Sequence, residues 1–428
     1  MLSPMTNFHG FAVPSFHQNQ TTFMFRSLIA FAFLGTSATG FAARFTLESA
    51  GSYALAHNPD LAAARFSIEE ARARLLGSGR LSNPELESDL KPNVRGREFS
   101  FGVGFVQRFP LTNRLRLEKA VSQAELATAE AEVRAAEIKL VSAVRTVAVK
   151  ILSLDGSKAL KEKQISNSKE LATTSVKLAA EGEGSGLEAT QFELEAQQLS
   201  LDLLQLDSDR ASLTGEARPL LGVPTSETVE FTGSLPEVSV PGAASPDVTA
   251  RADYQAAQSR IEAARQSIAL AKANKWADAG VGLSAEVDRS EDAPDGLETD
   301  GLIGIKFSLP LPFWNKNEGK IKEAEAATAR AEKEAEALVA GVRAEAMAAL
   351  GEMKAARRIL DQTSDVLLPK ALQIEEKILL FYKQGQPGVL LTDLLRSREK
   401  RLAMQQAKVD ALRSYHLSRI RFNAAMGR

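Results

Sequence analysis

Apolar and polar residues alternate with a period of two in four stretches of this sequence. The stretches are NPELESDLK (83–91), FSFGVGFVQRF (99–109), ADAGVGLSAEV (277–287) and LIGIKFSL (302–309). The alternation predicts four β-strands of about ten residues, the length that a tilted transmembrane strand requires. A half-buried sheet of a soluble domain would show the same alternation. The large apolar residues that we assign to a candidate lipid-facing side are Phe99, Phe101, Phe105, Phe109, Ile303, Ile305 and Phe307.

Long runs of Ala, Glu, Lys, Arg and Leu follow the second and the fourth of these stretches. Residues 111–191 and 315–380 contain no Phe, Tyr or Trp. High helix propensity combined with small side chains is typical of long helices that pack closely against their neighbours. One continuous helix over residues 114–180 would extend roughly 100 Å, because each residue adds about 1.5 Å. The sequence therefore predicts a mixed, mainly α fold built from long antiparallel helical hairpins and four strands.

A helix start is predicted at the tetrapeptide HNPD, residues 57–60. Asn58 is a preferred N-cap residue, and Pro59 suits the first helical position. We therefore assign no ligand role to His57.

The two halves of the chain resemble each other. Gly104 and the Pro-Leu pair at 110–111 recur 200 positions later, together with several Ala and Glu residues of the helix that follows. This predicts an internal tandem repeat, with a first structural repeat over residues 44–222 and a second over residues 247–428. Each repeat would contain a helix, two strands and a long helical hairpin. Residues 223–246 have the composition of a linker.

The first 43 residues have the pattern of a leader with a signal peptide. Arg26 precedes an apolar run, which ends in small residues at 40–43. This order is that of a secretory signal, and the run is shorter than the roughly 20 residues of a stable membrane span. An N-terminal membrane anchor is the alternative. We expect translation to begin at Met24 and the mature chain to be exported.

The segments between the paired strands differ in charge. Residues 92–98 are slightly basic, whereas residues 288–300 are strongly acidic. We expect the acidic segment to be a solvated surface loop, and a vestibule that attracts cations is the alternative.

Glycine-bearing turns end the long helices at residues 181–188 and 383–393. Glycine is common at helix ends, and the first turn lacks the Lys-Ser/Thr of a phosphate-binding loop. If several hairpins form a tube, these turns surround its far mouth, where rings of like charge favour cations. Solvent-facing charges without such a role are the alternative. The candidate tunnel-tip and gating residues are Glu181, Gly182, Glu183, Glu188, Gly385 and Asp393.

Composition argues against several classes of function. The 428 residues include 52 basic and 54 acidic ones, a net charge of −2, which gives no electrostatic case for nucleic acid as a partner. The absence of cysteine excludes disulfides, thiolate metal sites and cysteine nucleophiles. With four histidines and no catalytic motif, we expect no enzymatic activity, no cofactor and no metal site.

Several longer motifs resemble those of a known family. They are SLPLPFWNKNEGKI (308–321), ALAHNPDLAAAR (54–65), LSNPELE (81–87), LPKAL (368–372) and YKQG (382–385). Over residues 45–428 the sequence resembles the TolC family of outer-membrane efflux proteins, and it is most similar to the cobalt–zinc–cadmium resistance branch. It departs from the family at PLTNRLRLE (110–118), where many members have a glycine-rich Lys-Arg motif. It also has Asp393 as the nearest acid where members often carry two.

The resemblance implies a homotrimer in the outer membrane. Each protomer would give four strands to a twelve-stranded β-barrel in contact with lipid, and an α-helical tunnel would continue the barrel across the periplasm. The implied partners are a periplasmic adaptor protein and an inner-membrane pump of the RND type. The implied function is a passive exit duct of a tripartite efflux system, opened by an iris-like unwinding of the helix tips.

The resemblance to the resistance branch implies heavy-metal cations as the substrate. The same duct exporting drugs or other small molecules is one alternative. A periplasmic coiled-coil adaptor or structural protein is another, although such a protein would not need four strands of membrane-spanning length.

Overall fold

The computed structural model describes residues 43–93, 97–181, 186–236, 238, 247–292, 296–384, 386 and 388–428. Residues 1–42 of the predicted leader, including Met24, lie outside the described residues. So do Gly182, Glu183 and Gly385 of the predicted tips.

In the first half of the chain, short elements precede a strand pair and a very long helical hairpin. The elements are β1 (Ala43–Phe45), α1 (Ser49–His57), α2 (Pro59–Gly77), β2 (Glu85–Pro92), β3 (Phe99–Phe109), α3 (Arg114–Ala180) and α4 (Gly186–Leu221). The second half follows the same order after a short strand and a 3-10 turn at Val248–Ala250. Its elements are β4 (Val229–Phe231), α5 (Ala252–Ala273), β5 (Ala279–Asp292), β6 (Gly296–Ser308), α6 (Glu318–Asp361), α7 (Leu368–Lys383) and α8 (Leu391–Ala425).

The predicted continuous helix over residues 114–180 is confirmed, because α3 spans all 67 of these residues. It packs against α4 along the hairpin and also against α2, α5 and α8. Its middle turns enter a core in which Val144, Ala148 and Ile151 are buried together with Ala54 of α1 and Leu221 of α4. Small and β-branched side chains at these positions let the helices approach closely, which explains why the helix has no aromatic residue.

The second hairpin differs from the first, because its first helical arm is interrupted between α6 and α7. A π-helical segment, Gln362–Leu367, separates α6 from α7, and Thr363 within it is buried. Pro369 follows in the first turn of α7, where a missing N–H donor is tolerated. A π-helical turn inserts an extra residue into the α-helical ladder. The two helical hairpins are therefore not equivalent.

All four predicted strands are confirmed, and they form one antiparallel sheet in the order β2-β3-β5-β6. The pair β3–β5 joins the two halves of the chain, with Phe105 opposite Leu283. The expectation of a loop over residues 288–300 is wrong, because β5 continues to Asp292 and β6 begins at Gly296. In this acidic segment the residues on both faces are mostly polar, so no alternation of apolar and polar residues marks the strands there.

A second, two-stranded parallel sheet was not predicted. β1 pairs with β4, which lies inside the predicted linker, and Phe45 lies opposite Phe231. Both phenylalanines are buried in the core that contains Val144. Three residues per strand are too few for a period-two pattern to stand out.

Each short helix that precedes the sheet stacks end to end on a long helix, through a joint formed by one polar residue. Asn58 caps α2 as predicted, with its Oδ1 accepting from the Leu61 N–H at 2.7 Å. Its Nδ2 donates to the carbonyls of Pro219 and Leu220, at the end of α4. Gly222 has a φ of +69°, and a Cβ there would lie 2.2 Å from the carbonyl oxygen of His57, so only glycine fits this joint.

The second joint uses a charged residue in the same role. Arg251 donates from Nη1 to the carbonyls of Ala424 and Ala425, at the end of α8. Its guanidinium also pairs with Asp253 in the first turn of α5, at 2.6 Å. The hydrogen bonds from Arg251 lower the pKa of the Asp253 carboxyl below its ordinary value. Both joints therefore satisfy the free carbonyls of one helix while starting the next.

Candidate functional site: the apolar sheet face and the helix tips

One face of the four-stranded sheet is apolar and exposed. Its register places Phe105, Leu283 and Ile305 side by side across three strands. Ile303 is 88% exposed and Phe105 is 52% exposed, and all seven residues predicted to face lipid lie on this exposed side. Burying one such side chain is worth about 1.5–3 kcal/mol. A row of exposed apolar side chains across three strands is typical of a surface that contacts lipid or protein.

The opposite face of the sheet is built from small and polar residues. Gly102 and Gly104 of β3 lie beside Glu286 and Ser284 of β5. Val106 is the exception to the alternation, and it is buried on this face. A Cβ on Gly282 would lie 2.8 Å from a methyl group of Val106, so the glycine provides the space that the valine fills.

Charged side chains of the polar face include one pair that spans the sheet. Lys306 of β6 donates to Glu87 of β2 at 2.6 Å, although β3 and β5 lie between their strands. Three strand spacings in a flat sheet would be about 14 Å. The long side chains meet across the row of small residues, which includes Gly104, so the sheet curls toward its polar face. Farther along this face, Asp288 lies directly opposite Asp300.

Within the described residues, the two outer strands of the sheet, β2 and β6, each pair on one side only. An open strand edge has unpaired N–H and C=O groups that accept another strand. The described sheet is therefore curled, apolar on its outer side and open at both edges.

At the other end of the molecule, a hydrogen bond joins the two helical hairpins. The hydroxyl of Tyr382 on α7 donates to Oε2 of Glu188 on α4 at 2.5 Å. Burial, followed by this contact with the Glu188 carboxylate, raises the pKa of Tyr382 to about 12. The ring of Tyr382 packs against a small core that contains Phe192 of α4 and Leu394 of α8. Glu188, a predicted tip residue, is thus engaged within its own protomer.

The other described tip residues have separate surroundings. Glu181 is exposed and follows the last turn of α3. The carboxylate of Asp393 accepts from the backbone N–H of Leu390 at 3.1 Å, so this residue closes the first turn of α8. The structure therefore brings neither Glu181 nor Asp393 into the contact between Glu188 and Tyr382.

A buried ionic network lies about two turns above the tips, and the sequence analysis missed it. Arg398 of α8 is buried between Glu195 of α4, at 3.5 Å, and Glu375 of α7, at 3.6 Å. Arg401 also pairs with Glu375, and Ser168 of α3 donates to Glu195 at 3.0 Å. Four helices meet in this network, which balances two positive against two negative charges.

A sequence signal for the network did exist. Leu391, Leu394, Arg398 and Arg401 recur at helical spacing, so the two arginines continue the apolar stripe of α8. Charged residues on a buried stripe indicate buried ion pairs, because an unpaired buried charge is very costly.

No other chemical site is evident in the described part of the chain. There, no group of three His, Cys, Asp or Glu side chains is placed to hold a metal ion. His57 stacks on Tyr53, and its Nδ1 contacts the carbonyl oxygen of that residue at 3.0 Å. None of the described helices has the length and apolar content of a transmembrane helix.

The described chain combines a curled antiparallel sheet that has an apolar outer face with helical hairpins that extend roughly 100 Å. Residues 50–215 match the family model described as "Outer membrane efflux protein". Over these residues the chain has the sequence signature of outer-membrane efflux proteins, which are transport proteins and not enzymes. The comparison with curated protein sequences found no significant match.

Solved structures of outer-membrane proteins share this fold. The outer membrane protein VceC from Vibrio cholerae has 21% sequence identity and a TM-score of 0.71, covering 89% of this chain and 96% of that chain. The MtrE outer membrane channel of Neisseria gonorrhoeae, in its open state, has 17% identity and a TM-score of 0.72, covering 89% and 88%. CusC has 19% identity and a TM-score of 0.69, covering 91% and 93%. The fold of this chain is thus that of outer-membrane channels.

Proposed function

We propose that this protein is the outer-membrane exit duct of a tripartite efflux system. The observation that carries the proposal is the exposed apolar face of a sheet with two open edges, continued directly by long helical hairpins. A lipid bilayer accepts a β-sheet only when every edge is paired. Four strands are too few for closure, since small barrels begin at about eight. Three copies would supply twelve strands.

The helical hairpins would form the tunnel that continues this barrel. A duct of this kind needs no catalytic residue, because a pump in the inner membrane supplies the energy. The hydrogen bond between Tyr382 and Glu188 is suited to holding the tip closed, since it joins the two hairpins of one protomer. A periplasmic adaptor protein would open the tip by binding there.

Membrane fractionation tests this proposal. We expect the protein in the outer-membrane fraction and expect detergent to extract it as a trimer that dissociates on heating. Recovery as a soluble periplasmic protein would overturn the duct and favour the coiled-coil adaptor.

We propose heavy-metal cations as the substrate class, with drugs or other small molecules as the competing class. The motif resemblance to the resistance branch supports this, and so do the acidic residues of the polar sheet face, where Asp288 lies opposite Asp300. This face would line the barrel, and acidic rings favour cations.

The substrate class is tested by deleting the gene. We expect lower tolerance of zinc, cobalt, cadmium or copper, with unchanged tolerance of detergents and dyes. Unchanged tolerance of all four metals, together with increased sensitivity to dyes, would assign the duct to drugs instead.

A further inference from the structure

The apolar face of the sheet gains a charged residue at one end. On β3, β5 and β6, every paired residue of this face between the level of Phe109 and the level of Phe101 is uncharged. At the next level, Arg289 of β5 lies between Phe99 of β3 and Thr299 of β6 and is directly opposite both. Counted from the helical hairpins, Arg289 is therefore the first charged residue on the apolar side of these three strands.

The height of the uncharged part of this face matches that of a membrane. The strand β3 spans 11 residues from Phe99 to Phe109, which is roughly 33 Å of extended chain. At a strand tilt of about 40°, the height is about 25 Å, which is the height of the apolar band of outer-membrane barrels. A charge on the lipid side of such a barrel is costly at the midplane and nearly free at the interface. The level of Arg289 is thus suited to the boundary between hydrocarbon and headgroups.

Within the described part of the chain, Arg289 has no hydrogen bond or ion pair, and it is exposed. Glu291, two residues farther along the same face of β5, pairs with Arg97 at 3.6 Å. Asp288 and Asp300 belong to the opposite, polar face of the sheet. The guanidinium of Arg289 is therefore free to bind an external anion.

We infer that Arg289 and Thr299 bind the phosphate group of a lipid in the outer leaflet. The inference rests on the proposed duct, in which the helical hairpins continue into the periplasm from the opposite end of the sheet. Thr299 is exposed, and residues directly opposite on paired strands have Cβ atoms about 4.5–5.5 Å apart. A guanidinium binds phosphate through two parallel N–H donors, and the threonine hydroxyl supplies a further donor.

Continuity with the apolar face favours a lipid over a free phosphate ion. Phe99 is directly opposite Arg289, and Phe101 and Val287 form the next level toward the helices. All three apolar residues are exposed. A ligand that has both a phosphate group and acyl chains would cover the charged level and the apolar levels together. The strand β5 pairs on both sides within the protomer, so Arg289 does not lie at an open strand edge.

Lipid binding to the purified full-length protein tests the site. The probe is diphosphoryl lipid A, which is added to the protein in a non-ionic detergent, and native mass spectrometry measures the bound lipid. We expect Arg289→Gln to raise the apparent dissociation constant at least about tenfold, because a hydrogen bond to a charged group is lost. Arg289→Lys should lie between this variant and the wild type, since it keeps the charge but loses the paired donors.

A matched control separates the site from a general effect of charge. Arg108→Gln removes the same charge from the polar face of the sheet, where Arg108 pairs with Glu85 at 2.9 Å, and it should bind lipid A as the wild type does. Equal binding by Arg289→Gln and the wild type, with both proteins trimeric, would overturn the site. Equal weakening by Arg108→Gln would also overturn it, because binding would then depend only on net charge.

Two further probes separate a lipid from a free ion. Lipid A from which both phosphate groups have been removed should bind the wild type no better than diphosphoryl lipid A binds Arg289→Gln. Tight binding of the dephosphorylated lipid would overturn the role of the phosphate. Inorganic phosphate at the concentration of the lipid should not displace diphosphoryl lipid A, and displacement would assign the site to a free ion instead of a lipid.

Cysteine labelling tests the level of Arg289 without background, because the natural chain has no cysteine. The single variants Val287→Cys and Glu291→Cys place one thiol on each side of Arg289 along the same face of β5. In intact cells, a membrane-impermeant maleimide should label Glu291→Cys at least about tenfold faster than Val287→Cys, since the hydrocarbon excludes water. Equal labelling rates would overturn the placement of the boundary at Arg289.

The duct and the lipid site fail in distinguishable ways. A wild-type protein that is monomeric and absent from the outer membrane would overturn the proposed function itself. A trimeric outer-membrane protein whose lipid A binding does not depend on Arg289 would overturn the lipid site and leave the duct standing.

Discussion

Replacing Arg398 by methionine tests whether the buried ionic network holds the two hairpins together. Arg398 is the only side chain of the described network that contacts both Glu195 and Glu375. Methionine fills a similar volume but carries no charge. After the change, Glu375 keeps Arg401 as a partner, whereas Glu195 keeps only the hydroxyl of Ser168 among the contacts of this network.

The free-energy cost of Arg398→Met follows from how deeply the ion pair is buried. Removing one partner of a buried ion pair costs about 3–5 kcal/mol. Because the side chain of Glu195 is 23% exposed and Ser168 remains, we take the lower end, about 3 kcal/mol. If the network opens locally, backbone amides near the start of α4 and of α8 should exchange roughly 100-fold faster, since about 1.4 kcal/mol is a factor of ten.

Hydrogen exchange followed by mass spectrometry measures this change in the purified protein. The matched control is Arg396→Met, an exposed arginine two residues earlier on α8, which should leave exchange unchanged. The double variant Arg398→Met/Glu195→Gln also removes the carboxylate that would be left without an ionic partner. Its amide exchange should therefore be at least about tenfold slower than in Arg398→Met alone. Exchange in Arg398→Met that equals wild type, or a double variant without this recovery, would refute the reasoning.

Three further changes test other parts of the fold. Tyr382→Phe removes a hydrogen bond to a carboxylate worth about 1.5–3 kcal/mol, so we expect more frequent opening in single-channel conductance. Because the pKa of Tyr382 is raised to about 12, the wild-type channel should stay closed below pH 10 and should open more often as the pH rises toward 12. A Tyr382→Phe variant that opens no more often than the wild type below pH 10 would contradict this. Ile303→Lys places a charge on the apolar sheet face at a cost of about 2–4 kcal/mol and should reduce the outer-membrane fraction; Ser308→Lys, on the polar face of the same strand, should not. Asn58→Ala removes the joint between α2 and α4 and should lower the free energy of unfolding by about 1–2 kcal/mol, measured as a lower midpoint of thermal unfolding. Asn58→Asp keeps the cap but loses the amide donor, so its midpoint should lie between those of Asn58→Ala and the wild type. An equal decrease of the midpoint in both variants would assign the whole effect to the donor.

The regular elements could be predicted from sequence because each depends on a local pattern. The bounds of α3 and β3 follow directly from periodicity and from the turn residues beside them. The extension of β5 and β6 into the acidic segment could not be predicted, because both faces there are polar and only pairing between the strands defines them. The three-residue strands β1 and β4 are likewise defined by their partner and not by a pattern of their own.

The candidate site was predicted less completely, because its contacts join distant parts of the chain. Glu188 was selected for its place in a glycine-bearing turn, but its partner Tyr382 lies 194 residues away. No local pattern reports that pairing. The network around Arg398 shows the same difficulty, since its members come from four helices that only the tertiary fold brings together.

If the tip opens as proposed, the joints and the π-helical segment distinguish the two hairpins. The first hairpin has an unbroken α3, and its joint is a neutral, buried Asn58 held by a glycine that nothing larger can replace. The second has a π-helical break between α6 and α7, and its joint depends on an ion pair between Arg251 and Asp253. Because the pKa of Asp253 is lowered by that pair, its contribution is present at neutral pH and is lost as pH falls below the ordinary range of a carboxyl group. The π-helical break lies in the hairpin that carries Tyr382, Glu375 and Arg398. In the proposed duct, we expect this hairpin to bend at the break when the tip opens, and the contacts to Glu188 and Glu195 would then have to break.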